Sequence, residues 1–223
     1  MKTQKYFLMM MWIAVTLATA APALSGQFAA SLFGGYKGGA GFRVGVMALD
    51  FARGLPIGIE GAISYTAFDP GSPEDARRIF INDATNGTPE ESGWMWDYRL
   101  DFLYRLKMLG MNDAFLFAGV RYSVFTGDFH FVGGNEDFEV NSNQFGVGLG
   151  ARTSFPISQK VGISFLLGFD YFFNATLTGH DTSYSPGGET VNGKHNYTYK
   201  DADAAVNQPK FQPIAMLGFV YYF

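Results

Sequence analysis

Trp94-Met95-Trp96-Asp97-Tyr98-Arg99-Leu100-Asp101-Phe102-Leu103-Tyr104-Arg105-Leu106 has two characters at once. Trp94, Trp96, Tyr98, Leu100, Phe102, Tyr104 and Leu106 form one parity and are all aromatic or aliphatic. Asp97, Arg99, Asp101 and Arg105 fall on the other parity, with Met95 and Leu103. Strict period two is the mark of an extended strand with opposite faces. A strand that crosses a hydrocarbon layer at a tilt takes about 9–11 residues, so this run is long enough. The aromatic face is expected to meet lipid, and the charged face the interior of a closed barrel.

Seven further segments alternate in the same way. Residues 27–36 place Phe28, Ala30, Leu32 and Tyr36 on one face, and residues 41–50 place Phe42, Val44, Val46 and Ala48 outward. Residues 56–67 direct Ile57, Ile59, Ile63 and Tyr65 out and Glu60, Ser64 and Thr66 in. Residues 114–125 are mixed, with Phe115 and Phe117 sharing the inward parity of Arg121. Residues 143–155, 161–177 and 211–223 complete the set, the seventh with Asp170 and Asn174 inward. Links at 51–55, 107–113 and 156–160 are short. Those at 68–93 and 178–210 are long, and 126–142 reads as a hairpin turning near Gly133-Gly134. Short turns on one side and long loops on the other are the habit of outer-membrane barrels. The short link at 37–40 does not follow that rule.

Lys2 and Lys5 precede an apolar run from Tyr6 to Leu17, then small residues from Ala18 to Ala23. This is the pattern of a secretory signal peptide over residues 1–23, cleaved after Ala20 or Ala23. The apolar run is shorter than the roughly 17–25 residues of a spanning helix. Without Lys2 and Lys5 the charge balance is 14 basic against 20 acidic residues. A net charge of −6 argues against a nucleic-acid partner, which calls for a basic stripe. There is no cysteine, so stability must come from the sheet rather than from disulfides. Mean hydropathy near zero is compatible with a membrane protein, because alternation hides a lipid-facing surface from averages.

The chain ends Met216-Leu-Gly-Phe-Val-Tyr-Tyr-Phe223. Gly218, Tyr221 and the terminal Phe223 resemble the terminal-strand signature of bacterial outer-membrane barrels, with Met216 where a polar residue is usual. As architecture, residues 24–223 resemble the small eight-stranded outer-membrane barrels of the OmpA-transmembrane-domain and OmpX type. The resemblance implies an all-β fold, an eight-stranded antiparallel up-and-down transmembrane β-barrel in the bacterial outer membrane. It also implies that the barrel assembly machinery reads Gly218, Tyr221 and Phe223. It does not select one function.

The inward ionisable residues are Arg43, Arg99, Arg105, Arg121 and Arg152 against Glu60, Asp97, Asp101 and Asp170. A selective pore would favour one sign. Near-balance favours a structural network of pairs in an interior that side chains just fill. Inward glycines at 45, 146, 148, 150, 162 and 168 would make room for long side chains. The aromatics Trp94, Trp96, Tyr98, Tyr122, Tyr171, Phe173 and Tyr221 read as an interfacial girdle rather than a ligand platform.

His130, His180 and His195 fall in outside segments. His180-Asp181-Thr182-Ser183 holds the elements of a hydrolytic site, but reads as a solvated loop with no strand to set a nucleophile against a base. Asp201 and Asp203 near His195 and Glu189 match no metal-loop spacing. Asn86-Gly-Thr, Asn174-Ala-Thr and Asn196-Tyr-Thr are sequon matches read as chance. The sequence points to no catalytic residue, cofactor or metal. The expected protein is a non-enzymatic surface protein with an envelope-structural role or an unknown ligand bound by outside loops, and the bilayer is its obligatory partner. The alternatives are a narrow channel for small solutes or apolar ligands, and a lipid-modifying enzyme.

Overall fold

A computed structural model describes residues 27–50, 55–108, 111–134, 136–194 and 196–223. The signal-peptide segment with its cleavage points and His195 lie outside the described residues. Eight strands form the wall: β1 (Gln27–Lys37), β2 (Ala40–Leu49), β3 (Ile57–Phe68), β4 (Thr88–Met108), β5 (Met111–Val132), β6 (Asp137–Pro156), β7 (Val161–Phe172) and β11 (Phe211–Tyr222). Each pairs antiparallel with the next. β11 pairs with both β7 and β1, and β6 with β7, so the sheet closes on itself. Closure leaves no free edge within the membrane, where an unpaired peptide group would cost several kcal/mol.

Alternation sets the two faces as the sequence predicts. Along β4, Trp96, Leu100, Phe102 and Tyr104 are exposed on the outer surface, while Met95, Asp97, Arg99, Asp101 and Leu103 are buried. The same division holds on β6, where Phe145, Val147 and Leu149 face out, and on β11, where Leu217, Phe219 and Tyr221 do. Phe42, Tyr65 and Trp96 touch as a row of rings on β2, β3 and β4, and Tyr122 meets Phe145 at 5.2 Å. Such outward aromatics mark a membrane–water interface.

Several boundaries differ from the sequence expectation. β4, β5 and β6 continue well above the outer aromatic row, and β5 and β6 turn at Gly133 with φ +79°. β7 ends at Phe172, so Asn174 is exposed beyond the wall rather than directed inward. The reason is a change of partner. β6 leaves β7 at Gly146↔Phe172 and pairs further out with β8 (Leu177–Gly179). The two long links are folded. The first carries α1 (Pro73–Phe80), capped by Ser72, with Pro73 in its first turn and Glu74 and Asp75 at its positive end. The second carries β8, β9 (Thr182–Tyr184), β10 (Thr190–Val191) and α2 (Tyr199–Ala205).

Candidate functional site

The barrel interior holds one connected set of charges. Asp101 takes Arg43 at 3.1 Å and Arg121 at 2.7 Å. Asp170 takes Arg99 at 2.9 Å and Arg121 at 2.8 Å. Glu60 binds Arg43 at 2.6 Å and Arg152 at 3.3 Å, and accepts the Ser31 hydroxyl at 3.1 Å. Asp97 lies 3.6 Å from Arg99. None of these side chains reaches solvent to more than 2%. An ion taken out of water to this degree persists only with partners, so each residue depends on the others.

Two placements depart from the expected set. Lys37, placed in the short link at 37–40 by sequence, is fully buried and donates to Asp97 at 2.7 Å and to Gln212 at 3.2 Å. Its parity with Ala29, Ser31 and Phe33 was the signal that could have found it. Arg105 lies apart from the network. It is paired at 2.9 Å with Asp50, and the two side chains are 21% and 44% exposed.

Glycines supply the room, though not all for charge. A Cβ on Gly148 would run into Asp170 and Arg121, and one on Gly45 would sit 2.6 Å from a Glu60 oxygen. At Gly150 and Gly168 a Cβ would meet the facing strand's backbone first, and the nearest side chain is the ring of Phe117. That ring belongs to an apolar cluster with Phe33, Met47, Leu49, Leu103, Phe115, Leu166 and Val220, which fills the lumen not taken by ions.

At the outer end of the charge network a single cross-strand row runs Ser64↔Asp97↔Ser123↔Gln144 across β3 to β6. All four are fully buried. The Ser64 and Ser123 hydroxyls, Asp97 Oδ1 and Gln144 Oε1 find no hydrogen-bond partner among the described protein atoms. Groups of this kind are the ones that internal water satisfies.

The outer mouth is closed by a cap with its own core. Ala76, Ile79 and Phe80 of α1 pack with Phe125, Phe129, Phe131, Phe138 and Val140 of the extended wall. From the second link come Leu177, Tyr184, Tyr199, Ala202 and Val206. Gly71 and Val206 form a bridge between the two links, flanked by Ser72 N–H to Ala205 O and Asn207 N–H to Pro70 O, both 2.8 Å. Tyr184 donates its hydroxyl to Ile79 O at 3.2 Å. Arg77 lies over the Phe131 ring and donates to Asn86. Segment 207–210 is pinned to the rim, where Gln144 donates to Pro209 O and Gln208 donates to Ser142 at 2.5 Å. Tyr199 donates to Gln208 at 3.0 Å, and burial pushes its phenol up to about 12.

The residues of the His180–Ser183 tetrapeptide do not converge. They turn the β8–β9 hairpin, with Ser183 opposite Thr178 and Thr182 buried. His180 faces the adjacent Asp181 at 3.4 Å in solvent. Asp201 is a helix cap: it accepts from Thr198 N–H and Oγ at 2.7 Å each, which holds its carboxyl below the ordinary value. Asp203 pairs with Lys210. Among the described residues no three His, Asp or Glu side chains gather as a metal cage.

No family model and no curated protein sequence matches the chain. Solved structures do. A major outer membrane protein from Thermus thermophilus is similar, with TM-score 0.72 and 27% identity over 89% of this chain and 100% of that one. The attachment invasion locus protein Ail of Yersinia pestis matches at TM-score 0.44 and 13% identity, over 89% and 95%. The Escherichia coli outer membrane protease OmpT matches at 0.38 and 12%, over 82% and 63%. The last two are too distant to bear on the site. The wall, its apolar outer surface and the Thermus likeness agree: this is a bacterial outer-membrane protein, a small closed barrel of eight antiparallel strands.

Proposed function

We propose that the barrel is an anchor and the cap its working part, in a non-enzymatic surface protein with an envelope-structural or loop-mediated binding role. The observation that carries this reading is the linked set Lys37, Arg43, Glu60, Asp97, Arg99, Asp101, Arg121, Arg152 and Asp170, buried across the lumen beneath a packed cap. Passage of a solute would require separating several buried pairs together, each worth about 3–5 kcal/mol when one partner is withdrawn. Assembly is assigned to the terminal Gly218, Tyr221 and Phe223. Tyr221 and Phe223 lie on the outer surface with rings 5.3 Å apart, where both side chains are accessible from outside the wall.

Planar-bilayer recording of the refolded protein tests the reading. Little or no steady conductance is expected. A large stable conductance would replace it with the narrow channel. Turnover of a lipid substrate lost in His180→Ala or Ser183→Ala would replace it with the enzyme.

A further inference from the structure

The parting of β6 from β7 leaves a notch on the outer side of the wall. The last ladder pair is Gly146↔Phe172, followed by Phe173 N–H to Phe145 O at 2.8 Å. β6 next pairs at Asn141↔Thr178, with β8. Between these points lies a groove of about 460 Å³ lined by Asn141, Asn143, Asn174, Thr176, Thr178 and Pro186. That size falls within the roughly 300–1,000 Å³ of small-molecule sites.

Two properties narrow the ligand. The first is chemistry. The lining offers amides, hydroxyls, a proline ring and the Ala175 methyl, and among the described residues no ionisable side chain. Each asparagine offers two donors and an acceptor, and each hydroxyl can do both, which matches the paired donor–acceptor character of sugar hydroxyls. A phosphate would meet no cation among these lining residues, and the next outward position along β6 beyond Asn141 is the acidic Glu139. Thr126 donates to Asn141 Oδ1 at 2.8 Å, fixing that amide with its NH₂ available as donor.

The second property is height. Asn143 is the next outward position beyond Phe145, and Asn174 directly follows Phe173. Phe145 and Phe173 are 68% and 50% exposed on the lipid-facing surface, and Phe173 packs edge-on against Tyr171. The groove therefore begins where the aromatic belt ends, at the level of headgroups.

We infer that this groove binds the uncharged sugar headgroup of a glycolipid in the outer leaflet, with the acyl chains lying against Phe145, Tyr171 and Phe173. The inference rests on the cap as the working face, since β8 and Pro186 form one wall. Conductance tests that reading and lipid binding tests this one, so the two can fail separately.

The test uses the full mature protein, with labelled asparagine side-chain amides followed by NMR. It is placed in phosphatidylcholine vesicles alone, with a monohexosyl diacylglycerol, with phosphatidylglycerol, or with soluble methyl glucoside. Saturable shifts of the Asn141, Asn143 and Asn174 amides are expected with the hexosyl lipid. In Asn143→Leu/Asn174→Leu, affinity should fall roughly tenfold or more, as removing two neutral hydrogen bonds requires. Unboiled gel migration checks that this variant is folded, and the single Thr178→Val serves if it is not. No shift with the hexosyl lipid overturns the inference, as does an equal shift with phosphatidylglycerol. Equal binding of methyl glucoside assigns the groove to free saccharide and overturns the lipid part.

Discussion

Asp101 Oδ1 on β4 lies 2.7 Å from Arg121 Nη1 on β5, and both side chains are fully withdrawn from solvent. The two are not register partners. Asp101 faces Gly119, and Arg121 faces Arg99. The guanidinium reaches diagonally past a residue with no side chain, and the like-charged Arg99–Arg121 row is held together by Asp170, which binds both.

Asp101→Asn should therefore lower stability by about 3–5 kcal/mol, because Arg43 and Arg121 both lose a buried carboxylate. Arg121→Met should do the same to Asp101 and Asp170. Ser123→Ala, one row further out and with no partner for its hydroxyl among the described residues, should change stability by less than about 1 kcal/mol. Urea unfolding in lipid vesicles separates the three.

Leu100 is 47% exposed on the outer surface, midway between Trp96 and Tyr104. Leu100→Arg should cost about 2–4 kcal/mol, as a cation near the bilayer midplane does. An equal cost in detergent lacking a bilayer-like core would contradict a lipid-facing assignment.

Tyr184 joins the cap's second link to α1 and is fully buried. Tyr184→Ala should loosen the cap by about 3–5 kcal/mol, as large-to-small changes at aromatic core positions do. Amide exchange should rise across α1, β8 and β9 while the wall stays protected. Faster exchange in the wall as well would mean that cap and barrel are one cooperative unit.

Acid and alkali should act on the cap through different residues. The Asp201 carboxyl is held below its ordinary 3.8, so its contribution to α2 is present above that value and lost as pH falls through the lower folded value. The Tyr199 phenol is raised from 10.0 to about 12, so its contribution is complete below 10 and lost as pH climbs through about 12. Exchange of the α2 amides against pH should show both limbs. Asp201→Asn should remove the acid one and Tyr199→Phe the alkaline one.

Deleting Phe223 should reduce outer-membrane assembly without reducing export. The amount of heat-modifiable barrel in the outer-membrane fraction reports the first, and periplasmic accumulation the second. Normal assembly of the truncated chain would remove the assigned role of the terminus.

Alternation is a local property, and it was enough to establish the strands, their inner and outer faces and the class of fold. Trp94 to Leu106 could be assigned face by face because successive side chains on a strand must point opposite ways. The same rule, carried one residue further along β1, places Lys37 inside, whereas the expected strand ends at Tyr36 and leaves Lys37 to the short link at 37–40.

Which acid meets which base was not in the sequence, because pairing depends on strand register and on reach across the lumen, as between Asp170 and Lys37. Nor was the cap. Ile79 and Tyr184 are far apart in the chain, and each link alone reads as a polar loop with a few apolar residues. Only when closure of the barrel brings both links over one mouth do Phe80, Phe125, Tyr184 and Tyr199 find each other and leave water. The notch above Phe145 has the same origin, since a strand's change of partner is decided by the whole sheet and not by its own residues.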